Sequence, residues 1–313
     1  MPSSKSRAEV RRILLAGPTA VGKTELSLRF AESRGLTILS ADSRQCYRMM
    51  DVGTAKVSTS DRERVPHRNI DILDPGEPDS AADYARRSTA WEAELGAPAF
   101  HVGGSTLHLQ SVVWPLNELP EADAANQAEI ADVERREGPE GVLKRLRAVD
   151  PSYAAAMQGY NRQRAIRALD VWMRTGKPFS SFHRQDGFTV PGDVRIVVLT
   201  ASKDELVRRI HARVDAMMRE GFVEEVERLL KNGVPPEAQS MRTVGYRELI
   251  PVLQGAARLS DAVEAIRTAT RQYAKRQLTW FRRWQGAVWL ERDTVGDAVL
   301  LTRFETAILH ANP

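Results

Sequence analysis

The chain has 313 residues, 42% of them hydrophobic, so it can bury a full core, and its length indicates one large domain or two modest ones. Its formal net charge of +4 comes from 37 Arg and 8 Lys against 41 acids, a bias that a nucleic-acid partner and a GC-rich genome explain about equally well. The single cysteine excludes an internal disulfide, and no apolar run approaches the ~20 residues of a membrane span, which predicts a cytoplasmic protein with no membrane partner.

The first predicted elements are a strand, a glycine-rich turn and a helix. The apolar run at residues 13–16 leads into GPTAVGKT, and ELSLRF follows it. This is the P-loop pattern, in which backbone N–H groups at a helix N-terminus converge on phosphate oxygens. The predicted phosphate ligands are Gly17, Pro18, Thr19, Ala20, Val21, Gly22, Lys23 and Thr24. Lys23 supplies a charge and Thr24 a hydroxyl for Mg²⁺, but the motif leaves open which reaction uses the phosphates.

Further apolar runs at 36–40, 98–102 and 195–200 alternate with helical periodicities, which predicts an α/β fold with a parallel-sheet core. From 117 to 191 strand signals vanish and helix-like segments occupy 123–136, 141–149, 152–157 and 161–175. Long helices are expected at 204–220 and 261–284. The prediction is a P-loop α/β core at 1–116 and 192–313, interrupted by a small inserted helical domain at 117–191.

Three loops follow predicted strands and should meet at one site, because ligands bind at the carboxyl ends of strands in open α/β sheets. These loops lie at 17–24, 41–45 and 103–106. The strand at 98–102 ends in Gly-Gly-Ser-Thr without an acid, whereas Asp42 follows the strand at 36–40. Residue chemistry leaves two roles for Asp42, a ligand of Mg²⁺ or a base acting on a substrate.

Several longer sequence motifs resemble those of the tRNA dimethylallyltransferases, the IPP transferase family. They occur in the expected order from the P-loop to residue 284. These motifs are DSRQCYRMMDVGTAK, PHRNIDILDP, SAADYARR, VGGSTLHLQ, MRTVGYRE and RQYAKRQLTWFRRW. The resemblance implies an enzyme that transfers the dimethylallyl group of dimethylallyl diphosphate to the exocyclic amine of the adenine 3′ of the anticodon, in tRNAs that read codons beginning with U. The P-loop then holds the leaving diphosphate, with Mg²⁺ as cofactor.

The resemblance also implies roles for four side chains. Asp42 matches the general base, and Lys23 acts on the diphosphate. Ser105 stands where the family usually has threonine, a hydroxyl associated with the diphosphate and the reacting centre. Arg213 matches the arginine that clamps the diphosphate from the far side. Serine keeps the hydroxyl but is freer at χ1 than threonine.

The expected partner is the tRNA anticodon stem-loop, bound by a monomer. The residues that the resemblance assigns to tRNA contact are Asp42, Ser43, Arg44, Gln45, Gln163, Arg164, Ala165, Ile166, Arg167, Arg242, Thr243, Val244, Gly245, Tyr246 and Arg247. A basic stripe on the last predicted helix, Arg267, Arg271 and Lys275, could follow phosphates. Aromatic residues at helical spacing usually face the interior, and the residues predicted to pack there are Tyr273, Trp280, Phe281 and Trp284.

Two further positions depart from the family pattern and are expected at the rim of the active site. Met49 stands near a usual glycine and His108 near a usual tyrosine.

Three other functions compete with the main prediction. An adenylate isopentenyltransferase shares the P-loop and the acid but would lack the insertion and the tRNA-contact words. A P-loop nucleotide kinase would use the same GPTAVGKT. A non-catalytic RNA-binding protein would be expected to lose Lys23, Thr24 or Asp42, and all three are present.

Overall fold

A computed structural model describes residues 9–116, 119–157, 159–183, 187–292 and 296–310. The chain divides into two compact units. The first combines the residues up to 115 with those from 188 onward, and the second comprises residues 116–187. The sequence placed the insertion at 117–191, so the first unit resumes four residues earlier than expected.

The first unit is built on a parallel sheet of six strands in the order β3-β2-β4-β1-β6-β8. Two further short strands, β5 and β7, pair separately. The strands in chain order are β1 Arg12–Ala16, β2 Ile38–Ala41, β3 His67–Arg68, β4 Ala99–Gly103, β5 Phe188–Thr189, β6 Val194–Thr200, β7 Trp284–Gln285 and β8 Val288–Glu291. This order confirms the predicted parallel α/β core.

The helices surround this sheet in the first unit and form the whole framework of the second. In chain order they are α1 Lys23–Arg34, α2 Thr59–Arg64, α3 Ala81–Leu95, α4 Thr106–Val113, α5 Ala124–Val149, α6 Pro151–Ala156, α7 Arg162–Thr175, α8 Lys203–Arg219, α9 Phe222–Lys231, α10 Tyr246–Leu253, α11 Leu259–Phe281 and α12 Asp297–His310. Within the described residues, no helix is long and apolar enough to cross a membrane.

The central strand β1 shows why the sheet has two cores. Successive side chains of a strand point to opposite faces, so Ile13 and Leu15 join one buried cluster with Phe30 of α1. Leu14 on the other face packs with Trp114, which follows α4. A strand buried on both faces is continuously apolar, which is the pattern that made β1 recognisable in the sequence.

The second unit packs α5 against α7 around a small apolar core that contains Val142, Leu146 and Leu169. Helix α5 is broken at Gly138, whose φ of 68° is left-handed, and Pro139 restarts the helix. The sequence therefore placed two helices correctly on either side of this break. Asp170 is fully buried in this unit and pairs with Arg167.

Several elements were not predicted. The edge strand β8 alternates half-buried and exposed residues, and the small strands β3, β5 and β7 have only two residues each. Helices α9, α10 and α12 also lay outside the predicted set. A strand of two residues, or an exposed edge strand, carries a weak periodic signal because few of its side chains are buried. Helix α9 instead buries Phe222, Val226 and Leu229 at helical spacing, so its signal was present in the sequence and was missed.

Candidate active site

The P-loop joins β1 to α1 in a tight turn. Gly17 has a φ of 153°, and a Cβ there would lie 2.5 Å from the carbonyl oxygen of Leu199 on β6. Gly22 has a left-handed φ of 96° and is the residue from which α1 begins. Both positions require glycine, Gly17 because a backbone atom would be struck and Gly22 because of its conformation. The helix N-terminus is thereby open to an anion.

Lys23 bends back over this turn. Its Nζ donates hydrogen bonds to the carbonyl oxygens of Gly17 (2.9 Å) and Pro18 (2.8 Å). Burial, together with the positive charge of Arg213, lowers the pKa of Lys23 to about 7, although Asp42 acts in the opposite direction. The amine of Lys23 is therefore poised to take up a proton when an anion binds beside it.

Asp42 follows β2, and Ser105 follows β4, so the two lie at the same edge of the sheet. The register aligns Ala41 with Gly103, directly before these residues. Asp42 Oδ1 accepts hydrogen bonds from the amides of Arg44 (2.8 Å) and Gln45 (3.3 Å). Among the described residues, Oδ2 has no hydrogen-bond partner, which leaves one carboxylate oxygen to meet a ligand.

Ser105 links the two loops. Its Oγ accepts a hydrogen bond from the amide of Ser43 (2.9 Å) and donates one to Ser43 Oγ (3.1 Å). Its own amide donates to the carbonyl of Ala41 (3.2 Å). The hydroxyl that the sequence singled out is therefore part of the support that holds the backbone beside Asp42.

One cavity of about 370 Å³ opens at this edge of the sheet, and Ser105 lies behind its lining. Lys23, Thr24 and Asp42 line it, and so do residues 53–55 and Arg213. The lining is strongly cationic, since only Asp42 opposes the positive side chains. These positive side chains are Lys23, Arg44, Arg213, Arg242, Arg247 and Arg276. Such a cavity suits a ligand with several negative charges.

Helix α8 closes the P-loop side of the site. A second cavity of about 360 Å³ lies between the P-loop and this helix and is lined by Arg208, Arg209 and Arg213 together with Lys23 and Thr24. Arg209 Nε donates to the carbonyl of Ala20 (2.8 Å). Arg213 Nη2 donates to the carbonyl of Thr54 (3.3 Å), and burial lowers the pKa of its guanidinium. Arg213 thus lines both cavities and faces the P-loop.

Two site residues on α11 were missed or misplaced by the sequence. Tyr273 was expected in the core, but it lines the cavity, where burial and the charge of Asp42 raise its pKa to about 12. Gln277, one helical turn further on, is buried and was not assigned. Its Oε1 accepts from the amide of Thr19 (2.9 Å) and its Nε2 donates to the carbonyl of Gly104 (2.7 Å). Their spacing of four residues puts both on one helix face, the signal that could have found them.

The expected tRNA-contact residues of the first unit divide into two groups. Most line the cavity, namely Ser43, Arg44, Gln45, Arg242, Thr243, Val244 and Arg247. Tyr246 does not, because its side chain is completely buried and its hydroxyl donates to Glu225 (2.6 Å). Gly245 is also buried, at the start of α10. These two residues support the segment from below, which corrects the expectation that the whole segment faces a ligand.

The second unit shows the same division along α7. Gln163 and Arg164 are exposed, whereas Ala165 and Ile166 belong to the apolar core. Arg167 is half-buried, and it donates to Asp170 Oδ2 (2.8 Å) and to the carbonyl of Pro120 (2.5 Å). The exposed face of α7 is thus narrower than the sequence word suggested.

The basic stripe and the two departures are also placed by the structure. On α11, Arg267 forms ion pairs with Asp215 and Glu264, while Arg271 and Lys275 remain exposed. Met49 is 44% exposed and has a left-handed φ of 61°, a conformation that glycine adopts more readily than methionine.

His108 was expected at the rim but is buried. Its ring packs on Tyr84 with centroids 4.9 Å apart, and its Nε2 lies 3.8 Å from Asp79. This position therefore belongs to the packing between α3 and α4 and not to the cavity wall.

The chain is similar to known proteins of one family. A sequence model of the family described as IPP transferase matches residues 45–284, and one described as isopentenyl transferase matches residues 10–69. The tRNA dimethylallyltransferase 2 of Geotalea uraniireducens is 40% identical over 287 residues, which cover 90% of this chain and 93% of that protein.

The chain is also similar to solved structures. The full-length tRNA isopentenylpyrophosphate transferase of Bacillus halodurans is 32% identical, with a TM-score of 0.70 over 97% of both chains. A eukaryotic dimethylallyltransferase acting on tRNA shares the fold, with a TM-score of 0.78 at 24% identity over 96% of this chain and 80% of that one. The chain therefore belongs to the IPP transferase family of prenyl-transferring enzymes.

Proposed function

We propose that this protein transfers the dimethylallyl group from dimethylallyl diphosphate to the exocyclic amine of the adenine 3′ of the anticodon, in tRNAs that read codons beginning with U. A C–N bond forms, the C–O bond to the diphosphate breaks, and the amine proton is lost. The observation that carries the proposal is that Lys23 of the P-loop and the carboxylate of Asp42 line the same cavity.

The diphosphate fits the P-loop end of the cavity. The open N-terminus of α1, Lys23 and Arg213 all present positive charge there. The negative charge on the leaving diphosphate grows as the C–O bond breaks, so groups fixed around it stabilise the transition state more than the ground state.

Mg²⁺ fits the same end through Thr24. The side chain of Thr24 is exposed and lines both cavities. The described residues contain no cluster of three acidic, His or Cys side chains that could hold a metal. Mg²⁺ usually keeps several waters and binds substrate phosphates with few protein ligands, so one hydroxyl suffices. A bound Mg²⁺ would supply charge neutralisation for the diphosphate.

Asp42 is suited to accept the proton of the adenine amine. Its Oδ1 is held by two backbone amides, which orients the carboxylate, and its Oδ2 has no hydrogen-bond partner among the described residues. The amine of adenine is a weak nucleophile because its lone pair is delocalised into the ring. A carboxylate within hydrogen-bond reach assists by taking the proton as the C–N bond forms.

The tRNA would be held by phosphate contacts and by extraction of the target base from its stack. Arg242, Arg247 and Arg276 at the cavity and the exposed Arg164 of α7 supply positive charge for this. We therefore assign the helical unit at 116–187 to tRNA binding. The cytoplasmic location and the monomeric state of the enzyme stay predictions.

A single acceptor experiment tests the proposal. The protein is incubated with Mg²⁺ and labelled dimethylallyl diphosphate together with either tRNA or AMP, and in parallel with labelled ATP and nucleosides. Label transferred to tRNA supports the proposal. Label on AMP would identify an adenylate isopentenyltransferase, and a phosphorylated nucleoside would identify a kinase.

Lys23→Ala provides the matched control. It should retain tRNA in a filter-binding assay while turnover falls, because Lys23 acts on the diphosphate. Lost tRNA binding with intact turnover would contradict the assignment of Lys23.

A further inference from the structure

A buried carboxylate outside the catalytic group binds a loop of the cavity wall. Glu225 on α9 is fully buried. Its Oε2 accepts hydrogen bonds from the amides of Asp51 (2.8 Å) and Val52 (2.7 Å), and its Oε1 accepts from the amide of Gly53 (3.0 Å). The hydroxyl of Tyr246 donates a fourth bond to Oε1 (2.6 Å). Four donors on one buried carboxylate compensate for the cost of removing its charge from water.

The loop that Glu225 holds orients two site side chains. Directly after the three bound amides, the carbonyl of Thr54 accepts hydrogen bonds from Arg213 Nη2 (3.3 Å) and from Gln45 Nε2 (3.3 Å). Gln45 Nε2 also donates to the carbonyl of Ala55 (3.1 Å). One short segment therefore holds a side chain assigned to the diphosphate and one assigned to tRNA.

Packing leaves this segment little room to move. A Cβ at Gly53 would lie 2.1 Å from Phe222 Cε2 and 2.6 Å from Tyr246 Cε2. The rings of Phe222 and Tyr246 meet edge to face, with centroids 4.9 Å apart. A Cβ at Gly245 would lie 2.7 Å from Phe222. The loop at 51–55 and the segment at 242–247 are thus packed on the same two rings.

We infer that Glu225 is a positioning residue: its carboxylate fixes the loop at 51–55, and the carbonyl of Thr54 in turn orients Arg213 and Gln45 toward the two substrates. The inference rests on the proposed function for the identity of those substrates. Loss of the carboxylate should therefore weaken the binding of both substrates together. Loss of a residue that only stabilises the fold would leave the binding of both unchanged.

Glu225→Gln tests the first step without any substrate. A carboxamide places an N–H₂ group where donors already stand, so at least one of the four hydrogen bonds is lost. Amide hydrogen exchange at 51–53 should accelerate by roughly tenfold or more. Unchanged exchange at these amides would overturn the inference. Because this readout needs no substrate, it is independent of whether the proposed function holds.

The matched control is Glu92→Gln. Glu92 is a partly buried carboxylate that also accepts several hydrogen bonds, but its partners Arg12, Ser88 and His101 do not line the cavity. At an equal fall in Tm, Glu225→Gln should raise the KM for dimethylallyl diphosphate and for tRNA by roughly tenfold, and Glu92→Gln should change neither. Equal kinetics in the two variants would overturn the positioning role.

A double-mutant cycle tests the path through Arg213. The Kd for dimethylallyl diphosphate is measured for Glu225→Gln, Arg213→Gln and the double variant. If Glu225 acts through Arg213, the double variant should bind about as weakly as Arg213→Gln alone. Additive losses would overturn the path. Where Glu225→Gln fails to fold, Tyr246→Phe removes a single hydrogen bond to the same carboxylate and takes its place in each comparison.

Discussion

Lys23 should take up a proton when the diphosphate binds. In the free protein its pKa is lowered to about 7 by burial and by Arg213. An anion bound against Nζ favours the charged form, which raises the pKa back toward its ordinary value. Lys23 is therefore largely neutral before binding and charged after it whenever the pH lies above 7. The test changes the pH and compares wild type with Lys23→Arg, whose guanidinium stays charged at every pH used.

The magnitude follows from the pKa near 7. At pH 8 only about a tenth of the free protein carries the charge, so binding takes up about 0.9 proton. At pH 6 about nine tenths is already charged, and the uptake is about 0.1 proton. One pKa unit is about 1.36 kcal/mol, so above pH 7 the Kd of dimethylallyl diphosphate should rise by up to tenfold per pH unit.

Isothermal titration calorimetry in buffers of different ionisation enthalpy measures this uptake. Protonation of the diphosphate itself contributes equally to wild type and to Lys23→Arg, so their difference isolates Lys23. The difference should be close to one proton at pH 8 and small at pH 6. A zero difference at pH 8, or the same difference at both pH values, would contradict a lowered pKa of Lys23 in the free protein.

Three further predictions concern chemistry, tRNA binding and support of the site. Asp42→Asn should slow single-turnover prenyl transfer by ~10²- to 10⁴-fold with substrate binding nearly intact, and recovery at high Mg²⁺ would instead identify a metal ligand. Arg164→Ala should raise the KM for tRNA and reduce the salt dependence of tRNA binding, with little change in Tm. Arg167→Ala should instead lower the free energy of unfolding, measured with urea, by about 3 kcal/mol, because it leaves Asp170 buried without its ion pair. Ser105→Ala should slow single-turnover transfer by roughly tenfold because the amide of Ser43 loses its acceptor, while Ser105→Thr should match wild type; equal rates in both would contradict the supporting role.

Local patterns in the sequence were sufficient to predict the P-loop and the core of the sheet. Strand β1 is apolar on both faces, and the left-handed φ of Gly22 belongs to the turn itself. The close approach that requires glycine at position 17 is made by Leu199 on β6, so the motif predicted this glycine without its contact. Parallel strands bring their carboxyl ends to one edge, so the convergence of Asp42 and Ser105 followed once the strands were identified. The ordered words of the family added the chemistry.

Contacts between distant residues were decided only by the tertiary structure. Tyr246 was expected to contact tRNA and Tyr273 to pack in the core, yet the first is buried against Glu225 and the second lines the cavity with Asp42. Gln277 reaches Thr19 across 258 positions of sequence. Periodicity reports which face of a helix is apolar, but it carries no information about which partner that face meets.

The lowered pKa of Lys23 has the same origin. The GPTAVGKT word predicts a lysine at a phosphate, but burial and the neighbouring Arg213 arise from the packing of α8 onto the P-loop. The hold of Glu225 on residues 51–53 likewise joins positions more than 170 apart. The residue types and the positions of the main strands along the chain followed from the sequence alone, whereas the charge state and orientation of the site depend on desolvation and long-range contacts, which exist only once the chain has folded.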